Sequence, residues 1–165
     1  MPFDAVRAAY GRRAAEYVAA FGSIDAADEF EREQVRTWAG SLDGRILDAG
    51  CGPGQWTRWL TDLGHDVEGV DLTPEFVEEA RRRHPDLTFR VGQAESLDVV
   101  SGALGGVLAW YSLIHTEPER IGVPLAEFER CLRPGGGLML GFCTGPRVEP
   151  FDHKVVTAYY WPVDV

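Results

Sequence analysis

Two carboxylates and three glycines carry the clearest chemistry in this sequence. In ILDAGCGPGQWT (residues 46–57), Asp48 closes an apolar run, and Gly50, Gly52 and Gly54 follow at alternate positions. Glycines in such a loop let a ligand lie against the backbone and permit positive φ. Asp71 ends the next apolar run, where a carboxylate can grip both hydroxyls of a ribose, as in dinucleotide-binding folds. Asp48 is awkward beside a pyrophosphate but suits a cationic amino group. Two phosphate readings fail. The fingerprint G-x-G-x-x-G/A needs a small residue where Gln55 stands, and no Gly-Lys-Ser/Thr follows for a phosphate loop. The plain alternative is a tight strand-to-helix turn, with Asp71 capping the following helix.

Other reactive side chains are dispersed. His65, His84, His115 and His153 form no metal constellation. His115 is a candidate proton acceptor, since an imidazole titrates near neutrality, although a loop histidine is also often solvated or structural. The cysteines, Cys51, Cys131 and Cys143, are odd in number and widely spaced, which fits neither a disulfide framework nor a zinc site. Cys131 and Cys143 read as small buried hydrophobes.

The elements that must position these residues follow from periodicity. Residues 4–21 and 28–42 read as helices, with Phe30, Val35, Trp38 and Leu42 near one face of the second. From residue 44 the pattern alternates. Strands are expected at 45–49, 66–71, 87–91 and 106–113, and RPGGG turns into a fifth strand, LMLGFC. Helices are expected at 53–63, 74–84 and 124–132; the first buries Trp56, Trp59, Leu60 and Leu63. Thr73 reads as an N-cap, with Pro74 at the first helical position. Strands separated by helices imply a parallel sheet with right-handed crossovers, hence a doubly wound α/β fold.

Composition narrows the function classes. The chain has 165 residues, 45% hydrophobic and 25% charged, which is ordinary globular composition for one domain. A formal charge of −10 opposes a sequence-independent grip on nucleic acid and binding to anionic membranes. The one basic cluster, Arg81-Arg82-Arg83, sits at a predicted helix end, where it complements the helix dipole or faces solvent. No apolar run approaches 18 residues and the N-terminus lacks a signal-peptide centre, so a cytoplasmic protein is expected.

DAGCGPG, followed by an acidic residue ending the next strand, resembles the class I methyltransferases that use S-adenosylmethionine. VGQAESL (91–97) is similar to their segment lining the adenine pocket, GVLAWYSLIH (106–115) to their fourth strand and the loop leaving it, and LRPGGGLML (132–140) to the turn before their fifth. The likeness covers roughly residues 44–144. It implies a Rossmann-like, mostly parallel sheet with an N-terminal helical cap (1–42), a cofactor-binding core (44–144) and an incomplete acceptor-side segment (145–165). It also implies S-adenosylmethionine as cofactor, S-adenosylhomocysteine as product and a small-molecule acceptor.

Carried over residue by residue, the resemblance places Asp48, Gly50 and Gly52 at the methionine part, with Cys51 and Gly54 in the same loop. Asp71 would bind the ribose and Leu72 pack on the adenine. Ala94 would offer its amide to an adenine nitrogen, with Glu95 near the exocyclic amine. Trp110 to Ser112 would offer a carbonyl to the amino group and a wall of the transfer pocket. Tyr10, Arg13 and Tyr17 resemble an N-terminal helix closing over the cofactor's carboxylate. Gln93 stands where the family more often has Asp. Methyl transfer from a sulfonium is an in-line displacement, so approximation is the main lever, with the nucleophile about 3 Å from the methyl carbon. His115 is the first candidate base, with Tyr111, Glu117 and His153 as supports. Tyr159, Tyr160 and Trp161 are candidates for acceptor binding. A cofactor-binding domain without turnover is the alternative; an oxidoreductase is disfavoured by Gln55 and Asp48.

The resemblance implies that two more strands usually follow the fifth, and this chain is expected to stop before them. The fifth strand would then be an apolar edge. A truncation, a natural short form and a homodimer through that edge are the three readings. Trp161-Pro162-Val163-Asp164, which reads like a helix start, favours truncation.

Overall fold

The structure, a computed structural model, describes residues 3–153 and 156–162. The N-terminal stretch forms two helices instead of one, α1 (Phe3–Arg12) and α2 (Ala14–Phe21). Arg13, at φ −114° and ψ 14°, breaks the helical geometry between them. Helix α3 (Glu29–Gly40) starts from Asp28 through a capping box: Asp28 accepts from the Phe30 N–H, and Glu31 accepts from the Asp28 N–H. Val35 and Ala39 form its buried face, but Phe30 is 69% exposed. Five residues before Val35, Phe30 lies about 140° round the helix from it.

Strand β1 (Ile46–Ala49) is buried throughout, as a strand covered on both faces should be. Helix α4 (Gln55–Asp62) begins at Gly54, later than expected, and Leu63 beyond its end is exposed. Strand β2 (Val67–Asp71) leads into α5 (Pro74–Arg83), with Thr73 at the N-cap and Pro74 at the first turn, as expected. The cap bond is absent from the Thr73 side chain; instead Asp71 accepts from the Thr73 N–H at 2.7 Å. The arginines ending α5 are engaged within the chain. Arg82 and Arg83 pair with Glu79, Arg83 donates to the Gly22 carbonyl, and Arg81 to that of Phe89.

Strand β3 (Phe89–Val91) is short, and β4 (Leu104–Trp110) stops before the expected Leu113. Tyr111 ends it by turning into the left-handed region at φ 54°. Helix α6 (Gly122–Cys131) runs directly into β5 (Leu132–Gly141). The expected RPGGG turn is a bulge inside that strand. Register moves from Leu104↔Leu132 to Gly106↔Gly137, so residues 133–136 loop out opposite Gly105.

The five strands pair in the order β3-β2-β1-β4-β5, all parallel. Strand order reverses between β1 and β4, a switch point where loops leave in opposite directions and a crevice forms. Alternate residues feed the two faces. Leu47, Val107 and Ala109 pack with Phe128 and Cys131 of α6, while Ile46 and Leu108 pack with α3 and α4 through Val35, Trp56 and Leu60. Trp56 and Trp59 meet edge to face in this second core.

The tail does not extend the main sheet. Strands β6 (Cys143–Thr144), β7 (Glu149–Asp152) and β8 (Thr157–Trp161) form a separate sheet in the order β6-β8-β7. Trp161, expected to open a helix, therefore ends a strand; Val163 and Asp164 lie outside the described residues. Among the described residues β5 pairs with β4 alone, so it is an edge strand, as expected. No described helix is long and apolar enough to cross a membrane.

Candidate functional site

The loop after β1 is held by the end of β2. The Val70 carbonyl accepts from the N–H groups of Gly50 and Cys51, at 2.7 and 3.0 Å. Gly50 and Gly52 take φ of 87° and 53°, which glycine adopts without Cβ strain. Asp71 is buried and clamped: Oδ2 accepts from the Gly52 N–H at 2.9 Å, and Oδ1 from the Thr73 N–H. Each oxygen keeps capacity for a further donor. Burial raises the Asp71 pKa, against the lowering effect of these amides.

Asp48 lies lower, on the face of β1 that meets α4. It is 1% exposed, and Oδ2 accepts from the Thr57 hydroxyl at 2.7 Å. Burial pushes its pKa up to about 7; the Thr57 bond opposes the shift and the Asp71 charge adds to it. Two other loop residues also face away from the crevice. Cys51 packs with Val77, Ala80 and Phe89, and burial holds its thiol well above the usual range. A Cβ on Gly54 would come within 2.8 Å of the Phe89 ring.

Above the loop, at the switch point, a cavity encloses about 140 Å³ and opens into a wider cleft. Gly50 and Gly52 form its floor, and Asp71 and Leu72 one side. The loop after β3 contributes Gln93, Ala94 and Glu95; the loop after β4 contributes Trp110, Tyr111, Ser112 and His115. Tyr10 and Tyr17 cover it from α1 and α2. Their rings meet edge to face, with centroids 5.7 Å apart, and both contact Phe76. Burial raises both phenol pKa values and that of Glu95. Thus twelve of the sequence-predicted residues come together, while Arg13, Asp48, Cys51 and Gly54 are off the wall. Arg13 is half-exposed and pairs with Glu16.

The wall also contains Val6, Phe76, Gly92, Thr116 and Arg120, which the sequence reading did not select. Phe76 had a signal, since it stands three residues after the N-cap, on the first turn of α5. For Val6 and Arg120 there was none, because each arrives from an element remote in sequence.

His115 is buried and doubly bonded. Nδ1 lies 2.8 Å from the Thr157 carbonyl, and Nε2 lies 2.7 Å from the Tyr10 hydroxyl. A carbonyl only accepts, so Nδ1 carries the proton; in the neutral ring Nε2 then accepts from Tyr10. Burial lowers the His115 pKa, and the His153 ring, 5.2 Å away, adds to this, against the Thr157 bond. Tyr111 stands at the rim, 40% exposed, and its hydroxyl donates to Glu31 at 3.1 Å. The tail aromatics are elsewhere. Tyr160 stacks on Phe151, and the Tyr159 N–H binds the Ile114 carbonyl.

Comparison with known proteins agrees with this arrangement. A family model described as a methyltransferase domain matches residues 46–136. A demethylmenaquinone methyltransferase of Beutenbergia cavernae is 35% identical over 108 residues, which is 66% of this chain and 44% of that protein. A malonyl-[acyl-carrier protein] O-methyltransferase of Enterobacter lignolyticus is 31% identical over 145 residues, 86% of this chain and 53% of the relative. The chain thus spans about half the length of these curated relatives. Among solved structures, the 1,6-didemethyltoxoflavin-N1-methyltransferase of Burkholderia thailandensis superposes with a TM-score of 0.71 at 22% identity, covering 94% of this chain and 71% of that one. That identity speaks for the fold alone. With more than half of its length matched by the family model, and with the parallel sheet and switch-point loop in place, the chain belongs to the class I S-adenosylmethionine-dependent methyltransferase family.

Proposed function

We propose that this chain is an S-adenosylmethionine-dependent methyltransferase acting on a small-molecule acceptor. One observation carries the reading: a buried carboxylate, Asp71, is clamped by the glycine loop beside a cavity whose floor has no side chains. The residues present fit the cofactor. A Cβ on Gly52 would have the Tyr17 ring at 3.9 Å as its nearest neighbour, so the backbone stands open there. When bound, the cofactor supplies an electrophilic methyl group on a sulfonium.

The chain's own groups then have distinct tasks. Asp71 accepts from the ribose hydroxyls through the capacity its amide partners leave. Leu72 packs on the adenine, and Ala94 and Glu95 meet its polar edge. Trp110 offers a backbone carbonyl to the amino group. Tyr10, Tyr17 and Phe76 keep water from the covered side. His115 can hold a proton at Nε2, but only where the Tyr10 hydroxyl now donates. The loop containing Tyr111 and Ser112 contributes the wall on the acceptor side. The acidic charge of −10 supports a small acceptor over a nucleic acid.

Calorimetric titration with S-adenosylhomocysteine and with NAD tests the cofactor. Stoichiometric binding of the former and none of the latter is expected; NAD binding alone would sink the reading. A second reading, a cofactor-binding domain without turnover, is favoured by the engagement of both His115 nitrogens within the chain. Methyl transfer to any member of a broad acceptor panel would eliminate it.

A further inference from the structure

Tyr10 and His115, 105 positions apart, form a hydrogen-bonded pair inside the crevice. The Tyr10 hydroxyl donates to His115 Nε2 at 2.7 Å, and His115 Nδ1 donates to the Thr157 carbonyl at 2.8 Å. Both side chains line the cavity. Packing fixes the pair from both ends. The rings of Tyr17 and Phe76 rest against Tyr10. Strand β8 pins the His115 segment twice, through the Thr157 carbonyl and through the Tyr159 N–H on the Ile114 carbonyl. The surroundings also hold one protonation state. Burial, then the charges of Tyr17, Asp71 and Cys143, keep Tyr10 a phenol; burial, with His153 adding, keeps His115 neutral against the Thr157 bond. While Tyr10 donates to Nε2, no acceptor can reach that nitrogen. The Tyr10 oxygen, however, keeps lone-pair capacity for one more donor. On the same cavity wall Trp110 and Tyr111 set two aromatic rings edge to face, with centroids 5.5 Å apart.

We propose that Tyr10 is a catalytic residue of the transfer reaction, passing the proton of a phenol-type acceptor hydroxyl to His115. This deepens the function proposed above and rests on it. The acceptor O–H donates to Tyr10 Oη. As the acceptor oxygen forms its bond to the methyl carbon, that proton moves to Tyr10, and the Tyr10 proton moves to His115 Nε2. The bond from sulfur to the methyl carbon breaks, and its electron pair stays on sulfur. One positive charge is thus lost from the sulfonium and one gained by the imidazolium, whose Nδ1–H already donates to Thr157. A hydroxyl needs such a base because it is a poor nucleophile while protonated. A phenol suits the relay because it is the same kind of acid as Tyr10, and its ring suits the aromatic wall.

The test is methyl transfer from S-adenosylmethionine to 4-methylphenol and to 4-nitrophenol, by the wild-type chain and by Tyr10→Phe. At about pH 8 the first probe is protonated, while the second is mostly ionised and needs no base. The variant is expected to lose about a hundredfold or more in kcat on 4-methylphenol and less than about fivefold on 4-nitrophenol. Its S-adenosylhomocysteine affinity should stay within about fivefold of wild type, because one neutral hydrogen bond is lost. A second readout needs no turnover. Adding 4-nitrophenol to the S-adenosylhomocysteine complex should protonate His115 at Nε2 in the wild type and leave it neutral in Tyr10→Phe, as read by nitrogen NMR. Equal losses on both phenols overturn the inference, since they would mark a structural role for Tyr10. A wild-type chain that binds S-adenosylhomocysteine but neither methylates a phenol nor protonates His115 also overturns it, and leaves the cofactor reading intact. A wild-type chain that does not bind S-adenosylhomocysteine overturns the cofactor reading, and the relay with it.

Discussion

Along the wall made by the ends of β1 and β2, the groups that hold the loop are backbone amides, one carbonyl and one carboxylate, and their hydrogen bonds join residues no more than 20 positions apart. On the opposite wall the bonds run between side chains or from side chain to backbone, over much longer separations. Tyr10 meets His115 across 105 positions, Tyr111 meets Glu31 across 80, and His115 meets the Thr157 carbonyl across 42. The first wall forms with the strand-loop-helix unit that contains it. The second needs α1, the loop after β4, α3 and the small tail sheet to arrive together, and each long separation adds loop-closure entropy. Under the proposed function, binding of the nucleoside would fall to the local wall, and the covering of the crevice to the assembled one.

Asp71→Ala should break the local wall most severely. It removes the acceptor from two amides and, under the proposed function, the ribose partner, while relieving a buried charge. A net loss of about 3 kcal/mol in stability is expected, together with at least a hundredfold loss in S-adenosylhomocysteine affinity. Urea denaturation and calorimetry would read both, and a change near zero in either would refute the central place of this carboxylate.

Asp48 supports that wall from below, and its effect depends on pH. Its pKa in the folded chain is raised to about 7, so the native state holds a proton that the unfolded chain releases near pH 4. This contribution is fully present below the unfolded value and is lost as pH rises through the folded one. Stability should fall by about 2 kcal/mol between pH 4 and pH 8, roughly half of what the full shift would carry. In Asp48→Asn that slope should flatten; a slope equal to wild type would assign the titration to another group.

The assembled wall should yield the smallest effect. Tyr10→Phe loses one neutral hydrogen bond, about 1 kcal/mol, and should alter S-adenosylhomocysteine affinity by less than about fivefold. Nitrogen NMR of the imidazole should show His115 neutral at pH 7 and protonated at Nδ1, because burial lowers its pKa and Thr157 only accepts. Finding the proton on Nε2 would remove the Tyr10–His115–Thr157 chain and, with it, the contrast between the walls.

The local wall was also the legible one. Apolar runs ending in Asp48 and Asp71, glycines between them and Pro74 after Thr73 are signals within one strand-loop-helix unit, where spacing constrains geometry closely. Legibility failed where distant packing decides. Arg13 divides a helix that composition alone would continue. The φ of Tyr111 ends β4 inside an apolar run that reads as strand. RPGGG becomes a bulge because β4 pairs on both sides of it. The aromatic tail lacks a clean period, yet Phe151 and Tyr160 meet across two strands of its sheet.

By itself, the sequence determined the order of the parallel βα units, the glycine loop after β1 and the carboxylate ending β2, because these depend on short-range sterics and alternating hydrophobicity. Only the tertiary structure decided that Asp48 lies beneath the crevice, that Tyr10 and Thr157 hold His115 by its two nitrogens, and that Ser112 rests over Gly50 with its hydroxyl unpaired. Those facts depend on which segments meet after long loops close, and no local spacing encodes that meeting.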